Sequence, residues 1–338
     1  MVNFAIVGCG HIAKKHAEAI EKCEGAKLVA VCDKVHQNME FFTKEFGAKA
    51  YTELEALLDN QEVEVVNICT PSGTHAPIAI EVAKTKKHIV VEKPMALTLT
   101  DADRMINTCN EYGVKLAVVH PNRFRPAIIE LKKVLEKKLL GKISHVNATV
   151  RWNRNQAYFD QADWRGTKNL DGGVLMNQAI HNLDLILWLI GDVQEVFSMD
   201  ATRLRMIEAE DVSVGVTKFK NGALGVIEAA TTIYPTNLEE TLSIFGETGT
   251  VKIGGTTANL IEHWNLASMS EEEVSHLKQT IQKDPFGKPG HQWIIEDMVH
   301  AIEDSREPII TGTDGRKALE LVLALYQSAQ SNERVLIS

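Results

Sequence analysis

The segment Gly8–Ala13, with the sequence GCGHIA, restricts the fold of this 338-residue chain more than any other feature. It follows directly on the apolar run Asn3–Val7, and it opens a stretch in which apolar residues recur at helical spacing. Gly8 permits a tight turn after the run, and the small side chain of Ala13 permits close packing of a helix on a strand. The segment therefore predicts a strand, a tight turn and a helix, in that order.

The first third of the chain repeats this alternation of short apolar runs and amphipathic stretches. Runs without a polar alternation are typical of parallel strands covered on both faces. The predicted strands are Asn3–Val7, Lys27–Cys32, Val63–Cys69, His88–Val91 and Lys115–Val119. The predicted helices are His11–Cys23, Gln37–Phe46, Glu53–Leu58, His75–Lys86 and Asp101–Tyr112. We therefore predict an α/β fold whose N-terminal domain, residues 1–121, contains a doubly wound parallel sheet of the Rossmann type.

The pattern changes after residue 121, and we predict a second domain over residues 122–338. A helix predicted at Ala127–Glu136 is followed by longer runs with the alternation of half-exposed strands. These strands are Ile143–Trp152, Glu195–Arg203, Asp211–Phe219, Ala223–Thr231 and Glu240–Phe245. We expect an α/β domain with a large, mostly antiparallel open sheet. A last helix, at about 314–331, has an apolar face that suits either domain, including a return to the Rossmann domain.

Composition limits the class of partner. A net charge of −9 argues against nucleic acid and anionic membrane surfaces, which attract basic proteins. The apolar stretches fall short of the ~20 residues of a membrane span, and the N-terminus lacks the features of a signal peptide. The five cysteines form no close CxxC pair, as expected of buried thiols in a reducing compartment. We therefore expect a cytoplasmic protein with a small-molecule ligand and no metal, nucleic-acid or membrane partner.

The residues around Gly8–Ala13 also predict a cofactor. Gly10 lets the main chain approach a pyrophosphate, and the N-terminus of the following helix offers N–H groups to phosphates. Asp33 ends the second predicted strand about 20 residues further on, where a carboxylate accepts both ribose hydroxyls. That carboxylate repels a 2′-phosphate, so the sequence favours NAD over NADP, although Lys34 would weaken the discrimination. The alternative is a structural glycine turn with a solvated aspartate.

Three further segments follow predicted strands at the edge of the sheet where ligands bind in folds of this type. They are Thr70–His75, Glu92–Pro94 and His120–Arg123. Lys93 is the candidate for chemistry, because a cation held at a strand end stabilises a developing alkoxide or hydrogen-bonds a substrate hydroxyl. The alternative is a solvated surface lysine.

A second candidate group lies in an otherwise apolar predicted helix around residues 171–189. Asn177, His181 and Asp184 are spaced i, i+4 and i+7 and are predicted to form one polar stripe on this helix. A buried polar stripe needs partners or a cavity. His181 is therefore the candidate general base for oxidation of an alcohol, since imidazole accepts a proton near neutral pH. The alternatives are a hydrogen-bonded core histidine and a metal site formed by the three residues.

Positive charge gathers just before this helix. A basic group on an acidic chain can receive a carboxylate or a diphosphate, and Arg165 is the first candidate for that contact. Ordinary surface charge is the alternative. The basic residues are Arg151, Arg154, Arg165 and Lys168, with Arg123 and Arg125 upstream.

Taken together, these motifs resemble the Gfo/Idh/MocA family, which includes glucose-fructose oxidoreductase and inositol dehydrogenase. The resemblance implies a Rossmann domain, an open-sheet C-terminal domain used for oligomer contacts, a bound nicotinamide cofactor and a sugar or cyclitol substrate. Lys93 and His181 match the family's lysine and histidine, whereas Asn177 stands where many members carry aspartate. The motifs that carry the resemblance are Gly8–Ala13, Thr70–His75, Glu92–Pro94 and the segment from Gly172 to His181.

Further segments resemble the UDP-N-acetyl-2-amino-2-deoxyglucuronate dehydrogenases of O-antigen biosynthesis, which supplies lipopolysaccharide. Such enzymes are usually tetrameric, and they use NAD to oxidise the C3 hydroxyl of UDP-N-acetylglucosaminuronate (UDP-GlcNAcA) to a 3-keto sugar. The segments are Tyr158, Ala162–Gly166, Met176–Ala179, Ile207–Asp211 and Tyr234–Glu239.

The motifs and the resemblance together suggest a set of site residues. Catalysis is assigned to Lys93 and His181, and the residues leave open which of the two is the general base. Expected substrate contacts are Lys93, Arg165, Asn177, His181, Tyr234 and Asn237. Expected cofactor contacts are Gly8, Gly10, His11, Ile12, Asp33, Thr70, Pro71, Ser72, His75, Glu92, Lys93, Asn122 and Arg123.

Two other functions stay open at this stage. One is a dehydrogenase or reductase of a free polyol or sugar such as inositol or glucose, with the same cofactor site and the same lysine and histidine. The other is a catalytically inactive protein that senses NAD or a sugar. The sequence also leaves open the C6 oxidation level of the sugar, the uracil contacts, and whether NADH is released or reoxidised in place.

Overall fold

The computed structural model describes residues 1–337, which form two compact units. The first unit contains Met1–Pro121 and Lys288–Arg316, and the second contains Asn122–Gly287 and the residues from Lys317 onward. Within residues 1–337, no helix combines the length and the apolar character needed to cross a membrane.

Strands and α-helices are numbered in chain order. The strands of the first unit are β1 (Val2–Val7), β2 (Ala26–Cys32), β3 (Lys49–Tyr51), β4 (Val65–Ile68), β5 (His88–Val91) and β6 (Leu116–Val118). Those of the second are β7 (Ile143–Arg151), β8 (Val193–Ala201), β9 (Val212–Phe219), β10 (Leu224–Ala230), β11 (Glu239–Gly246), β12 (Gly249–Gly254), β13 (Leu260–Leu266) and β14 (Val335–Leu336). The helices are α1 (His11–Glu21), α2 (His36–Phe46), α3 (Leu54–Leu58), α4 (His75–Lys84), α5 (Leu99–Tyr112), α6 (Pro126–Glu136), α7 (Gln156–Phe159), α8 (Ile180–Ile190), α9 (Glu271–Lys283), α10 (Gly290–Glu303) and α11 (Gly312–Ser331).

The first unit is built on a parallel sheet with the strand order β3-β2-β1-β4-β5-β6. Its central strands are buried, because Phe4, Ala5 and Ile6 of β1 and Val65 and Val66 of β4 have no solvent exposure. Strand order reverses between β1 and β4, which is the position where α/β sheets of this type bind ligands. The predicted Rossmann sheet is confirmed.

Helix α10 belongs to the first unit, although its residues lie within the predicted second domain, residues 122–338. It packs on α1, and the neighbouring segment is tied to the sheet edge by a hydrogen bond from Lys115 Nζ to the Arg306 carbonyl, at 2.7 Å. A bridge between Ala117 and Thr311 adds to this edge. The amphipathic pattern of a helix identifies its buried face but not the sheet that covers it, so the sequence did not reveal this return.

The second unit contains an eight-stranded sheet in the order β13-β12-β11-β7-β10-β9-β8-β14. All its neighbouring strands are antiparallel except β7 and β10, which are parallel. Leu325 and Ser328 of α11 cover part of one face through hydrogen bonds with Ser198 on β8. The predicted large, mostly antiparallel open sheet is confirmed. Exposed apolar side chains of β8, β9 and β10 are Met199, Val214, Val216, Leu224 and Val226.

Helix α11 begins in the first unit and ends in the second. In the first unit, Gly312 lies close to Leu116, and a Cβ added at Gly315 would lie 2.7 Å from a Val118 methyl group. The later turns contribute Leu325 and Ser328 to the second unit. The helix predicted at about 314–331 is therefore present, and different parts of it contact different sheets.

Glu240 on β11 carries a buried carboxyl group inside the second unit. Asn122 Nδ2 donates to its Oε1 at 3.1 Å, and Arg125 Nη1 lies 3.5 Å from its Oε2. Burial raises the pKa of Glu240 to about 7, against the opposing effect of the Arg125 charge. Burial also lowers the pKa of Arg125, so both partners carry the desolvation penalty of a buried ion pair.

We predict that Glu240→Gln becomes more stable relative to the wild type as pH rises from 5 to 8. A folded-state pKa near 7 lies above the ordinary value of about 4.3, so the unfolded chain loses this proton first and the wild type loses stability as pH rises. The full effect is about 3 kcal/mol. Melting temperatures across this pH range test it, with Glu333→Gln on an exposed segment as control. A Glu240→Gln difference that stays constant with pH would contradict the prediction.

Candidate active site

The turn after β1 has the shape that a dinucleotide requires. Gly8 has a φ of +89°, and a Cβ there would lie 2.8 Å from the Thr70 backbone nitrogen, so a larger residue does not fit. Gly10 is exposed, precedes the first turn of α1, and has open space where a Cβ would stand. No side chain caps α1, so the first N–H groups of this helix remain available to a phosphate. His11 and Ile12 form the start of the same turn.

Asp33 lies directly after β2 and is fixed by the main chain around it. Its Oδ2 accepts the Cys9 N–H at 2.8 Å, and its Oδ1 accepts the Val35 N–H at 2.8 Å and the Asn38 side chain at 3.1 Å. The Cys9 contact joins the carboxylate to the glycine turn. A carboxylate oxygen accepts more than one hydrogen bond, so the group keeps capacity for ribose hydroxyls. These residues fit an NAD molecule.

The segment Thr70–His75 follows β4 and forms a short 3₁₀ turn before α4. Thr74 Oγ1 lies 2.7 Å from the Thr70 hydroxyl and 2.7 Å from the Pro71 carbonyl, and either oxygen can accept its proton. His75 is buried, and its Nδ1 and Nε2 lie 2.8 Å from the carbonyls of Pro94 and Thr70. Burial lowers the pKa of His75, with the two carbonyl contacts opposing. The imidazole therefore joins two loops of the sheet edge, while Pro71 and Ser72 shape the turn.

Lys93 is half-buried at the carboxyl end of β5, between Glu92 and Pro94. Its backbone N–H donates to Glu92 Oε2 at 3.1 Å. The other Glu92 oxygen, Oε1, lies 3.0 Å from His16 Nε2 and 3.2 Å from His291 Nε2. Glu92 is a predicted cofactor contact, but both oxygens of its carboxylate have partners within the first unit.

Sequence reasoning missed the two histidines that contact Glu92. A signal existed for His16, which shares the buried face of α1 with Ala13 and Ile20 and is therefore a polar residue on an apolar face. No local signal pointed to His291, because only the tertiary fold brings the start of α10 to the end of β5.

In the second unit, His181 is half-buried and lies in the first turn of α8. The preceding residues Leu175–Ala179 form a π-helix, so the regular α-helical spacing that predicted a polar stripe does not apply there. Asp184 is buried and forms an ion pair with Arg123, at 2.8 and 2.5 Å. Asn177 donates to Asp171 Oδ1. Asn177 and Asp184 therefore contact different partners, Asp171 and Arg123.

The π-helix is held at its start by Glu210. Glu210 Oε1 accepts the Leu175 N–H at 2.9 Å and the Tyr326 hydroxyl at 2.9 Å. A Cβ at Gly173 would overlap the same carboxyl group, so only glycine fits that position. Burial raises the pKa of Glu210 to about 7. The glycine motif before His181 thus makes room for a buried carboxyl group that supports the π-helix.

Two predicted cofactor contacts are engaged within the second unit. Arg123 is buried against Asp184 and lies over the Trp188 ring, with its Cζ 5.3 Å from the ring centroid. Asn122 donates to Glu240 at 3.1 Å. Both side chains, which the sequence predicts as cofactor contacts, are therefore held by partners in the second unit.

The basic residues before α8 divide into two groups. Arg151 contacts Glu228 and Glu239 at 2.6 Å each. Arg154 and Arg165 instead both contact the Tyr158 ring. Their Cζ atoms lie 5.2 and 4.4 Å from the ring centroid. Neither of these two arginines forms an ion pair with a carboxylate of residues 1–337.

Arg165 has an additional unmet donor. Its Nη1 donates to the Tyr158 hydroxyl at 2.7 Å, and its Cζ lies 4.7 Å from the Trp164 ring centroid. Its Nε is buried and has no hydrogen-bond acceptor within the described part of the chain. A buried guanidinium donor without a protein acceptor is uncommon in folded proteins, and it makes Arg165 a candidate for a ligand contact.

The loop after β10 supplies the remaining predicted residues. Asn237 Oδ1 accepts hydrogen bonds from the Asn153 N–H at 2.9 Å and from Arg154 Nη1 at 3.3 Å. Asn237 therefore lies next to the cluster formed by Arg154, Tyr158 and Arg165. Tyr234 is 90% exposed and is not brought to that cluster by any contact in residues 1–337.

Two family models match this chain. An oxidoreductase family model of the Gfo/Idh/MocA type, described as an NAD-binding Rossmann fold, matches residues 2–120. The C-terminal domain model of the same family matches residues 128–252. The chain therefore belongs to the Gfo/Idh/MocA oxidoreductase family, and the predicted class, an NAD-dependent oxidoreductase, is confirmed.

Solved structures and curated relatives add detail. The chain is 36% identical to the WlbA dehydrogenase of Bordetella pertussis, solved in complex with NADH and UDP-GlcNAcA, with a TM-score of 0.94 and coverage of 100% of this chain and 98% of that one. A WlbA dehydrogenase of Chromobacterium violaceum, in complex with the same two molecules, is also 36% identical, with a TM-score of 0.94 and coverage of 100% and 96%. The myo-inositol 2-dehydrogenase of Thermotoga maritima is 26% identical over 99% of this chain and 98% of its own length.

We predict that Asp33→Ala weakens NAD binding at least tenfold and reduces the preference for NAD over NADP. The substitution removes the ribose acceptor and the negative charge that repels a 2′-phosphate. Titration calorimetry with both dinucleotides measures the two effects. Glu45→Ala, at an exposed position of α2, is the matched control and should bind like the wild type. Unchanged NAD affinity in Asp33→Ala would exclude this carboxylate from the cofactor site.

Proposed function

We propose that this protein uses NAD to oxidise the C3 hydroxyl of UDP-GlcNAcA to the 3-keto sugar. The product would serve nucleotide-sugar biosynthesis for O-antigen and lipopolysaccharide. The observation that carries the proposal is Arg165, whose buried Nε lacks an acceptor within residues 1–337. Full-length similarity to two dehydrogenases bound to NADH and UDP-GlcNAcA supports the same substrate.

The substrate has three anionic groups, a carboxylate and two phosphates. Arg154 and Arg165 share contacts with Tyr158 and have no carboxylate partner in residues 1–337, so their charges are available to an anion. A guanidinium held by an aromatic ring loses little side-chain freedom on binding and makes directed contacts to carboxylate or phosphate. Asn237 contacts Arg154 and adds an amide for polar groups of the sugar.

Bound NAD⁺ would accept the hydride from C3. The protein must then remove the hydroxyl proton and stabilise negative charge on the oxygen. His181, in the first turn of α8, takes the proton in this proposal, because neutral imidazole is a base near pH 7. Lys93 at the end of β5 stabilises the developing oxygen charge. Asn177 stays neutral and is positioned by Asp171.

Cofactor contacts are proposed for the glycine turn, the first turn of α1, Asp33, the loop after β4 and Lys93. Glu92 and His75 support this edge through the main chain. The contact residues are Gly8, Gly10, His11, Ile12, Asp33, Thr70, Pro71, Ser72 and Lys93.

We also propose a homotetramer in the cytoplasm. The exposed apolar side chains of β8, β9 and β10 lie on neighbouring strands, where Met199 pairs with Val214 and Val216 pairs with Val226. An apolar sheet face of this kind is typical of a subunit interface. All five cysteines are buried and unpaired, which favours a reducing compartment.

A second candidate is a dehydrogenase of a free polyol, supported by the full-length similarity to a myo-inositol 2-dehydrogenase. A single-turnover experiment separates the two: enzyme and NAD at near-equal concentrations are mixed with UDP-GlcNAcA, UDP-N-acetylglucosamine or inositol, and NADH absorbance is followed. A burst with UDP-GlcNAcA alone supports the main proposal, and one with inositol alone favours the polyol enzyme. No burst with any of the three would favour a sensing protein.

We expect His181→Asn and Lys93→Ala each to lower the single-turnover rate by about 100-fold or more, because each removes a group that acts on the reacting hydroxyl. NAD should still bind to both variants, as measured by fluorescence titration. Near-normal rates in both would refute the assigned roles.

Arg165→Gln is expected to raise the KM for UDP-GlcNAcA at least tenfold, since it removes a charge-assisted contact to the anion. The NAD dissociation constant should not change. Lys168→Gln removes an exposed positive charge from the same segment and should leave KM within about twofold. Equal effects of the two substitutions would indicate general charge attraction and not a specific site.

A further inference from the structure

A buried cluster of three side chains in the first unit contacts the main chain of Lys93. His16 comes from α1, Glu92 from the end of β5 and His291 from the first turn of α10. Both imidazoles contact the same carboxylate oxygen, with Glu92 Oε1 lying 3.0 Å from His16 Nε2 and 3.2 Å from His291 Nε2. The two rings meet edge to face, with centroids 5.1 Å apart. His16 is 1% exposed and Glu92 is 6% exposed, so water has little access.

The hydrogen-bond partners of His16 define its protons. Asn67 Nδ2 lies 2.9 Å from His16 Nδ1, and the neutral tautomer that accepts this amide N–H at Nδ1 carries its own proton on Nε2. That proton points at Glu92. Burial lowers the pKa of His16, which favours the neutral ring, while the contact with Glu92 opposes this effect. One neutral tautomer therefore satisfies both contacts of the ring.

Glu92 is a buried anion within this cluster. Burial alone raises the pKa of a carboxyl group, but the hydrogen bonds from His16 and His291 outweigh it and hold the pKa of Glu92 well below its ordinary value. Its second oxygen, Oε2, accepts the backbone N–H of Lys93 at 3.1 Å. The carboxylate thus accepts hydrogen bonds from two imidazole rings and one main-chain N–H.

The main chain is held at Lys93 and again at Pro94. Glu92 binds the Lys93 N–H, and His75 Nδ1 lies 2.8 Å from the carbonyl of Pro94. His75 Nε2 contacts the Thr70 carbonyl, which ties this segment to the loop after β4. Side-chain orientation at a strand end depends on the main chain there, and a displacement of about 1 Å at a reacting group costs roughly 100-fold in rate.

We propose that Glu92 is a positioning residue for Lys93, and that His16 and His291 orient its carboxylate through their hydrogen bonds. This inference rests on the catalytic role of Lys93 in the proposed function. Glu92 acts through the Lys93 main chain and does not touch the substrate. His291 makes the region around α10 part of the catalytic machinery, although it lies about 200 residues further along the chain.

The same three side chains have the spacing of metal ligands, with all ligand atoms within 4.8 Å of one another. A metal on His16 Nε2 would require the proton to move to Nδ1, where the Asn67 amide N–H already points. The hydrogen-bonded cluster needs no such change. The observed donors therefore favour a positioning cluster, and metal content becomes an outcome of the test.

Three substitutions test the proposal. Glu92→Gln keeps the shape but removes the anion, and His291→Leu removes the N–H donor. We expect each to lower the single-turnover rate at least tenfold while the NAD dissociation constant and KM change less than threefold. His291→Gln retains an N–H donor and should recover most of the rate. His276→Gln, exposed on α9, is the control and should match the wild type. Melting temperatures show whether each variant folds.

A second measurement does not depend on the substrate. Imidazole ¹⁵N spectra of the histidine-labelled protein should show His16 protonated on Nε2 alone at pH 7, and Glu92→Gln should shift the His16 and His291 signals together. Rates are measured with whichever substrate the wild type oxidises, so failure on UDP-GlcNAcA alone refutes the proposed function and not the positioning role.

Four results would overturn the inference. They are a normal rate in Glu92→Gln, equal losses in His291→Leu and His291→Gln, His16 signals that do not respond to Glu92→Gln, and a stoichiometric metal in the purified protein that these substitutions remove. If the wild type oxidises none of the substrates, the imidazole signals decide the arrangement of the cluster, and an unresponsive His16 refutes it.

Discussion

Parallel pairing of β1 with β4 and of β4 with β5 is the constraint on which the cofactor site depends. Parallel strands end at the same edge of a sheet, so the residues after these strands are brought together regardless of their separation in sequence. At this edge the Gly8 turn lies against Thr70, and His75 joins Thr70 to Pro94. Burial of the apolar side chains fixes the register of the strands, and the register in turn determines where the loops begin.

Buried carboxyl groups occur in both units, and they meet the cost of burial in different ways. Glu92 receives three donors and stays ionised, whereas Asp184 forms a close ion pair with Arg123. Glu210 and Glu240 have pKa values raised to about 7 by burial. The number and quality of donors decide which of these groups hold a charge at neutral pH. The ionised carboxylate of Glu92 is directly next to the proposed catalytic lysine.

Much of the first unit was predictable from its residues, because apolar runs and helical spacing identify strands and helices that are buried on known faces. The segment His88–Val91 was predicted with the bounds that the structure has, and β1, β2 and α4 differ only at their ends. The second unit was harder. The polar stripe of Asn177, His181 and Asp184 assumed a regular helix, but Glu210 and Gly173 support a π-helix at its start. Asp184 fits the stripe by its spacing, but its partner Arg123 lies 61 positions away, so the sequence did not reveal the ion pair.

By itself, the sequence determined the Rossmann sheet, the glycine turn with Asp33, and the candidate lysine and histidine. These features depend on local patterns: apolar periodicity, glycine at a turn, and a charged residue at a strand end. Only the tertiary structure decided which charges are already paired and which are available. It assigned Arg123 to Asp184, Asn122 to Glu240, and Glu92 to two histidines that are 275 positions apart. Such pairings arise because folding brings distant buried polar groups into contact, and each must then find a partner away from water.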